Sequence, residues 1–305
     1  MDEQERNALD QWQQGGKWFC YRDHSIFCRV EGKGVPLLLI HGFPTASWDW
    51  HRLWPSLIQR YQVITLDMMG FGFSDKPRDY PYSILDQADL IVAFIRELKL
   101  QRCHLLCHDY GDSVGQELLA RQLDHVLPFA IDSACFLNGA LFPETHRPVL
   151  MQKLLISPFG GLVSRLLSQR IFDSNMRLLF SPHYQPDETT LSHLWALIQY
   201  NNGLGVVHNL IHYMEERRCH RHRWVDALQT SKVPLRFING VADPVSGEEM
   251  ADRYEALVRR PDVIRLDGVG HYPHLEVPEI TLEAYLSFRA SFKPVRECAM
   301  MPLRE

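Results

Sequence analysis

Short apolar runs recur along the chain at Val35–Ile40, Val63–Leu66, Cys103–Leu106, Phe129–Leu137 and Leu235–Ile238, with a weaker one at Val263–Leu266. Each has the length of a strand, and stretches of helical period lie between most of them. Alternation of this kind predicts a parallel sheet covered by helices. Ile84–Leu98 is expected to be one such helix, because Ser83 can cap its first turn and apolar residues follow three and four apart. Pro278–Phe292 repeats the pattern after a proline that suits a helix start. Nearer the N-terminus, Lys17–Val30 reads as two short strands around Asp23-His24, a hairpin at the sheet edge.

Between Phe142 and Ala227 the strand pattern vanishes. Amphipathic helical pieces replace it, interrupted by Ser157-Pro158-Phe159-Gly160-Gly161 and by Ser181-Pro182. Strand-like sequence resumes at Val233. The expected organisation is therefore one α/β core, residues 1–141 and 228–305, interrupted by a helical lid at residues 142–227. The tail after Lys293 carries two prolines and is expected to be loosely ordered.

Length and charge refine this picture. At roughly 150 residues per domain, 305 residues would suggest two domains, but an inserted lid accounts for the surplus. The 32 Lys and Arg against 37 Asp and Glu leave a net charge of −5, with no long like-charge run. That balance leaves no electrostatic footprint for nucleic acid or an anionic membrane, and a polyanion is not an expected partner. Seven cysteines, an odd number without a Cys-x-x-Cys pair, fit a reducing compartment. Polar residues at positions 1–6 and the lack of any run of ~18 apolar residues point to a soluble cytoplasmic protein with no integral membrane segment.

The stretch Cys103-His104-Leu105-Leu106-Cys107-His108-Asp109-Tyr110-Gly111-Asp112-Ser113-Val114-Gly115 carries the chemistry, in two competing registers. Gly111-Asp112-Ser113-Val114-Gly115 satisfies G-x-S-x-G, which would make Ser113 a nucleophile. The sharp strand-to-helix turn that exposes a nucleophile must, however, follow its strand at once. Asp109 stands there, flanked by the small residues Cys107 and Gly111, whereas Ser113 falls about one turn into the next helix. Asp109 is the preferred nucleophile. By the same logic of position, His271 in Gly268-Val269-Gly270-His271 follows the last weak strand and is the expected base, ahead of His274. Asp243, directly past Leu235–Ile238, is the expected carboxylate to orient it. Asn138-Gly139, at the corresponding place after an earlier strand, cannot carry a charge.

With these residues the chain resembles the α/β-hydrolases that use aspartate in place of serine, the epoxide hydrolases and haloalkane dehalogenases. His41-Gly42-Phe43-Pro44-Thr45 is similar to the family's oxyanion-side motif, Asp67-Met68-Met69-Gly70-Phe71-Gly72-Phe73-Ser74-Asp75-Lys76-Pro77 to its next signature, and His108-Asp109-Tyr110-Gly111 to its elbow. The branch of mesoderm-specific transcript (MEST) proteins resembles it more closely, through Phe142-Pro143-Glu144-Thr145-His146-Arg147-Pro148 and Arg223-Trp224-Val225. The resemblance implies an α/β-hydrolase fold with a helical cap and an oxyanion hole made by the backbone N–H groups of Phe43 and Tyr110. It implies an ester formed on Asp109 and hydrolysed by water that His271 activates. Dehalogenases of the best-known branches place a Trp after the nucleophile and often an Asn or Glu after the His-Gly; here Tyr110 and Phe43 stand instead, which favours an epoxide over a halide. Asn209-Leu210-Ile211-His212-Tyr213-Met214-Glu215 resembles the lid segment that carries a ring-opening tyrosine, so Tyr213 is the expected proton donor. Tyr184 and Tyr200 are candidates for a second donor, and Trp195 for the substrate pocket wall.

No dinucleotide or P-loop fingerprint occurs, and Cys219-His220-Arg221-His222-Arg223 has no second ligand pair at useful spacing, so neither cofactor nor metal is expected. The expected substrate is small and mostly apolar. A haloalkane dehalogenase, an esterase or acyltransferase working through Ser113, and a non-catalytic binding protein on the same fold remain the alternatives.

Overall fold

The computed structural model describes residues 3–292, and the tail after Lys293 lies outside them. Eight strands form one sheet in the order β1-β2-β4-β3-β5-β6-β7-β8. They are β1 Lys17–Tyr21, β2 His24–Glu31, β3 Val35–Ile40, β4 Tyr61–Leu66, β5 Arg102–His108, β6 Ala130–Leu137, β7 Leu235–Gly240 and β8 Val263–Leu266. β1 and β2 pair antiparallel, and all pairs from β4 across to β8 are parallel. The hairpin turns through Arg22 and Asp23, both at positive φ (47° and 64°), the turn geometry whose twist matches that of its strands. Leu37, Leu38, Leu39 and Ile40 are all buried, as expected of a central strand covered on both faces.

The described residues include helices α1 Glu3–Gln14, α2 Ile84–Glu97, α3 Tyr110–Leu123 and, at the other end, α10 Pro278–Ala290. Ser83 caps α2 by accepting from the Asp86 N–H at 3.0 Å. α1 has no counterpart in the sequence reading. Its Leu9 and Trp12, three apart, are buried, and Trp12 packs edge-on against Trp54 with ring centroids 5.1 Å apart. Among the described residues no helix is long and apolar enough to cross a membrane.

The chain between β6 and β7 is helical: α4 Leu150–Leu155, α5 Gly160–Arg165, α6 Gln169–Leu179, α7 Glu188–Gln199, α8 Tyr213–Cys219 and α9 Arg221–Thr230, with short helical turns between. Six parallel strands, β4, β3, β5, β6, β7 and β8, lie side by side and end along one edge of the sheet. In parallel sheets that carboxyl edge is where connecting loops converge on a ligand.

Candidate active site

β5 runs one residue past its apolar stretch, through His108, and α3 begins at Tyr110, so Asp109 alone makes the turn. It does so at φ 45°, ψ −104°, a conformation that costs on the order of 1–3 kcal/mol and persists only where the surroundings enforce it. Gly111 makes the turn feasible, because a Cβ there would sit 2.4 Å from the Ile40 carbonyl oxygen. A Cβ on Gly42 would meet His108 Nδ1 at 2.6 Å, so glycine lets the loop after β3 close down on the elbow. Phe43 N–H, brought there by that loop, donates to Asp109 Oδ2 at 3.1 Å. Tyr110 opens α3, where a backbone N–H has no carbonyl of its own helix to bond.

His271 and Asp243 meet at the ends of β8 and β7. His271 Nδ1 lies 2.7 Å from Asp243 Oδ2, and both side chains are buried. A carboxylate can only accept, so Nδ1 carries a proton, and in the neutral form of the ring the lone pair is on Nε2. Burial works against an imidazolium here, but the Asp243 charge and its hydrogen bond outweigh it and lift the His271 pKa to about 8. Asp243 is held low despite its burial by His271, by Ser246 Oγ–H at 2.7 Å and by Val245 N–H at 2.7 Å. Asn138, which could not supply a charge, has a different place: its Nδ2 donates to Asp243 Oδ2 at 2.9 Å and its Oδ1 accepts from Gly240 N–H at 2.8 Å. The His271 main chain is fixed from both sides. Its N–H donates to Leu179 O of α6 at 2.8 Å, and its carbonyl accepts from His108 Nε2 at 2.9 Å. Glu276 takes the N–H groups of Gly270, Tyr272 and Ser181, tying the histidine loop to the chain just past α6.

Arg217 of α8 is the residue the sequence did not disclose. Its guanidinium is buried against the elbow, with Nη2 2.8 Å from Asp109 O and 3.3 Å from Asp109 Oδ1. Nε donates to Ser113 Oγ at 2.6 Å, so Ser113 is an anchor for Arg217 on the first turns of α3. Burial alone would raise the Asp109 pKa, but Arg217, helped by His271 and His108, leaves it below the ordinary value. Asp109 is thus held as a carboxylate. Nothing local in the sequence around Arg217 distinguishes it from a surface helix residue; only the reach of its side chain to Ser113 and Asp109 does.

Asp109, His271 and Phe43 line one cavity. Its remaining walls are mostly apolar and come from α4 (Met151, Leu155) and α6 (Phe172, Met176), with Gln152 and Asn175 as the polar exceptions. Tyr213 packs on Phe43 and Tyr110, with ring centroids 5.6 and 5.1 Å away, and its hydroxyl accepts from Gln152 Nε2 at 3.4 Å. It stands behind the wall rather than on it. The expected wall residue Trp195 lies a layer further out, against Phe172, and is not among the lining side chains. Tyr184 belongs to a separate surface pocket beside Arg52, and Tyr200 packs outward on Phe73 and Lys76. The structure therefore does not bring Tyr184 or Tyr200 to Asp109: Tyr184 lies in the connection between α6 and α7, and Tyr200 directly follows α7.

For a metal, the residues to consider among those described are Asp49, His108 and His274, whose ligating atoms all lie within 4.8 Å of one another. Burial keeps both imidazoles neutral and pushes the Asp49 carboxyl well above its ordinary value. None of the three lines the cavity, so they underlie the His271 loop rather than face a substrate. His274, the lesser candidate for the base, sits in this cluster with its ring against Trp50.

Comparison with known proteins follows the same lines. Residues 37–284 match the alpha/beta hydrolase family. The chain is 42% identical over 299 residues to the mesoderm-specific transcript protein of Mus musculus, covering 93% of this chain and 89% of that protein. Among solved structures, an epoxide hydrolase superposes with a TM-score of 0.75 at 15% identity, covering 91% of this chain and 99% of its own. A haloalkane dehalogenase of Bradyrhizobium elkani gives 0.77 at 19% identity, covering 91% and 99%.

Proposed function

The chain belongs to the alpha/beta hydrolase family, and from that premise we propose that it is a hydrolase of epoxide-hydrolase type that works through an ester on Asp109. One observation carries this reading. An ionised aspartate occupies the strained elbow with Oδ2 on the Phe43 N–H, in the same apolar cavity as the imidazole of a His–Asp pair.

Asp109 Oδ1 attacks an epoxide carbon and the C–O bond of the ring breaks. Oδ2 becomes the ester carbonyl oxygen, already seated where the N–H groups of Phe43 and Tyr110 stabilise the oxyanion of the next step. His271 Nε2 then takes a proton from water, which attacks the ester carbonyl, while Asp243 holds the imidazole orientation and stabilises its charge. The tetrahedral intermediate collapses with cleavage of the bond between the Asp109 carbonyl carbon and Oδ1. The departing diol oxygen takes the proton from His271, and the remaining proton returns to Tyr213 as Asp109 is restored as a carboxylate. Tyr213 donates to the ring oxygen as it leaves. Its oxygen accepts from Gln152, a wall residue, so its own proton is left to donate, and because Tyr213 stands behind the wall it reaches the ring oxygen once Gln152 turns aside. The helices of residues 142–227 act as the cap over a core made of residues 1–141 and 228–305, and the apolar walls suit a small, mostly apolar substrate. No step calls for a cofactor.

Haloalkanes are the second reading, supported by likeness to dehalogenases, but Phe43 offers no side-chain donor and the Tyr110 ring packs on Phe71 and Tyr213. Assaying small epoxides, haloalkanes and acyl esters separates the readings. Turnover of an epoxide is expected, and it should survive Ser113→Ala, which removes one hydrogen bond to Arg217 and lowers stability by about 1–3 kcal/mol. Turnover of acyl esters alone, abolished by Ser113→Ala, would overturn the proposal. Tyr213→Phe is expected to slow alkylation by an epoxide about 10²-fold while leaving ester hydrolysis unchanged, in pre-steady-state measurement. An unaltered alkylation rate would remove Tyr213 from the mechanism.

A further inference from the structure

We propose that the outer face of α4, α5 and α6 docks on an anionic lipid surface, so that an apolar substrate passes from the lipid into the cavity beneath. The helices that wall the cavity are apolar on their outer side as well. Leu150, Phe159, Leu166 and Leu178 are 72%, 72%, 68% and 67% exposed, and Leu154, Leu162 and Ile171 are exposed beside them. These outward side chains alternate along the chain with the cavity walls: Leu150 precedes Met151, Leu154 precedes Leu155, Leu166 precedes Leu167, Ile171 precedes Phe172 and Leu178 precedes Leu179. Elsewhere the exposed large apolar residues, such as Trp18, Val126 and Ile280, are scattered singly, which is ordinary for a folded surface. A concentration on one face marks an interaction site.

Charge decides the partner. Residues 149–172 contain no Asp or Glu, yet Lys153, Arg165 and Arg170 are exposed there, and none of the three is in an ion pair among the described residues. In a chain with net charge −5 this is a local positive field that the overall balance conceals. Exposed Leu and Phe interleaved with unpaired cations on short helices is the composition of a surface that sinks its apolar side chains to the headgroup boundary and holds acidic headgroups with its basic ones. The half-buried Met151, Gln152 and Asn175 bring the cavity out to this same face. The docking inference is independent of which residue is the nucleophile, since it rests on the outer side of the helices.

The test uses the full chain with vesicles of phosphatidylcholine alone and of phosphatidylcholine mixed equally with phosphatidylglycerol. Co-sedimentation with the mixed vesicles is expected, with weaker partitioning to the neutral ones and at high salt. A Phe159→Ser, Leu162→Ser, Leu166→Ser variant should bind the mixed vesicles at least about tenfold more weakly, yet hydrolyse a water-soluble substrate at the normal rate. The pair Lys153→Glu and Arg165→Glu, which removes no apolar surface, should lose about tenfold on mixed vesicles and little on neutral ones. Wild-type protein that stays in the supernatant with both vesicles would overturn the inference. So would a stable dimer that the serine variant dissociates, since the face would then belong to a second copy of the chain.

Discussion

Replacing His271 with glutamine is expected to let alkylation of Asp109 proceed and to stop the hydrolysis that follows, lowering turnover about 10³-fold. The stalled ester should be visible in the intact mass of the protein as one substrate added, and after proteolysis it should map to the peptide containing Asp109. This outcome separates a base that acts only in the second half from one that activates the nucleophile itself, as a serine would require. The pH dependence follows from the same geometry. His271 is lifted to about 8 by Asp243, with a further contribution from the charge of Asp109. Once Asp109 is esterified that contribution is gone, and the imidazole must be neutral to accept a proton. Single-turnover hydrolysis should therefore rise with pH and level off, with its midpoint at or below about 8. Asp243→Asn removes the main influence holding the pKa up, leaving burial to push it down, so the midpoint should move to lower pH even as the plateau rate falls.

Asp109→Asn is expected to lower epoxide turnover by on the order of 10⁴-fold or more, since the amide is no nucleophile toward saturated carbon. The fold should survive. An asparagine fits the elbow sterically and can still accept from Phe43 N–H through its amide oxygen, although Arg217 loses its charged partner. Thermal unfolding of the variant against wild type measures that loss. A variant that folds normally and keeps more than a small fraction of activity would take the nucleophile's role away from Asp109.

What could be read from the sequence is what depends on short stretches of chain. β3 and β8 fall where their apolar runs lie, and α2 starts at its Ser83 cap, because each depends on residues a few positions apart. The convergence of Asp109, Asp243 and His271 was legible for a related reason: they stand in loops one, three and five residues past the ends of β5, β7 and β8, and strand ends share one edge of a parallel sheet. Position also separates the two registers of the elbow, since Ser113 of the G-x-S-x-G match lies inside α3 and faces Arg217, whereas Asp109 stands at the turn. Residues whose roles depend on how distant segments pack were not legible. Arg217 reaches the Asp109 carbonyl across 108 residues, Asn138 reaches Asp243 across 105, and Gln152 meets Tyr213 across 61. Tyr184 and Tyr200 failed to reach the cavity for the same cause: both stand in connections beside α7, whose course is set by packing with distant segments rather than by a local pattern. The N-terminal helix α1 was masked by its polar composition, although Leu9 and Trp12 stand three apart.

The most direct measurement of the central claim is a single turnover of an epoxide with excess enzyme in heavy-oxygen water. If Asp109 forms the ester and water attacks its carbonyl, the first diol released carries ordinary oxygen taken from the carboxylate, and the heavy isotope enters Asp109 instead. Heavy oxygen in the first diol, with none in the Asp109 peptide, would mean that water attacked the substrate directly and would contradict the account.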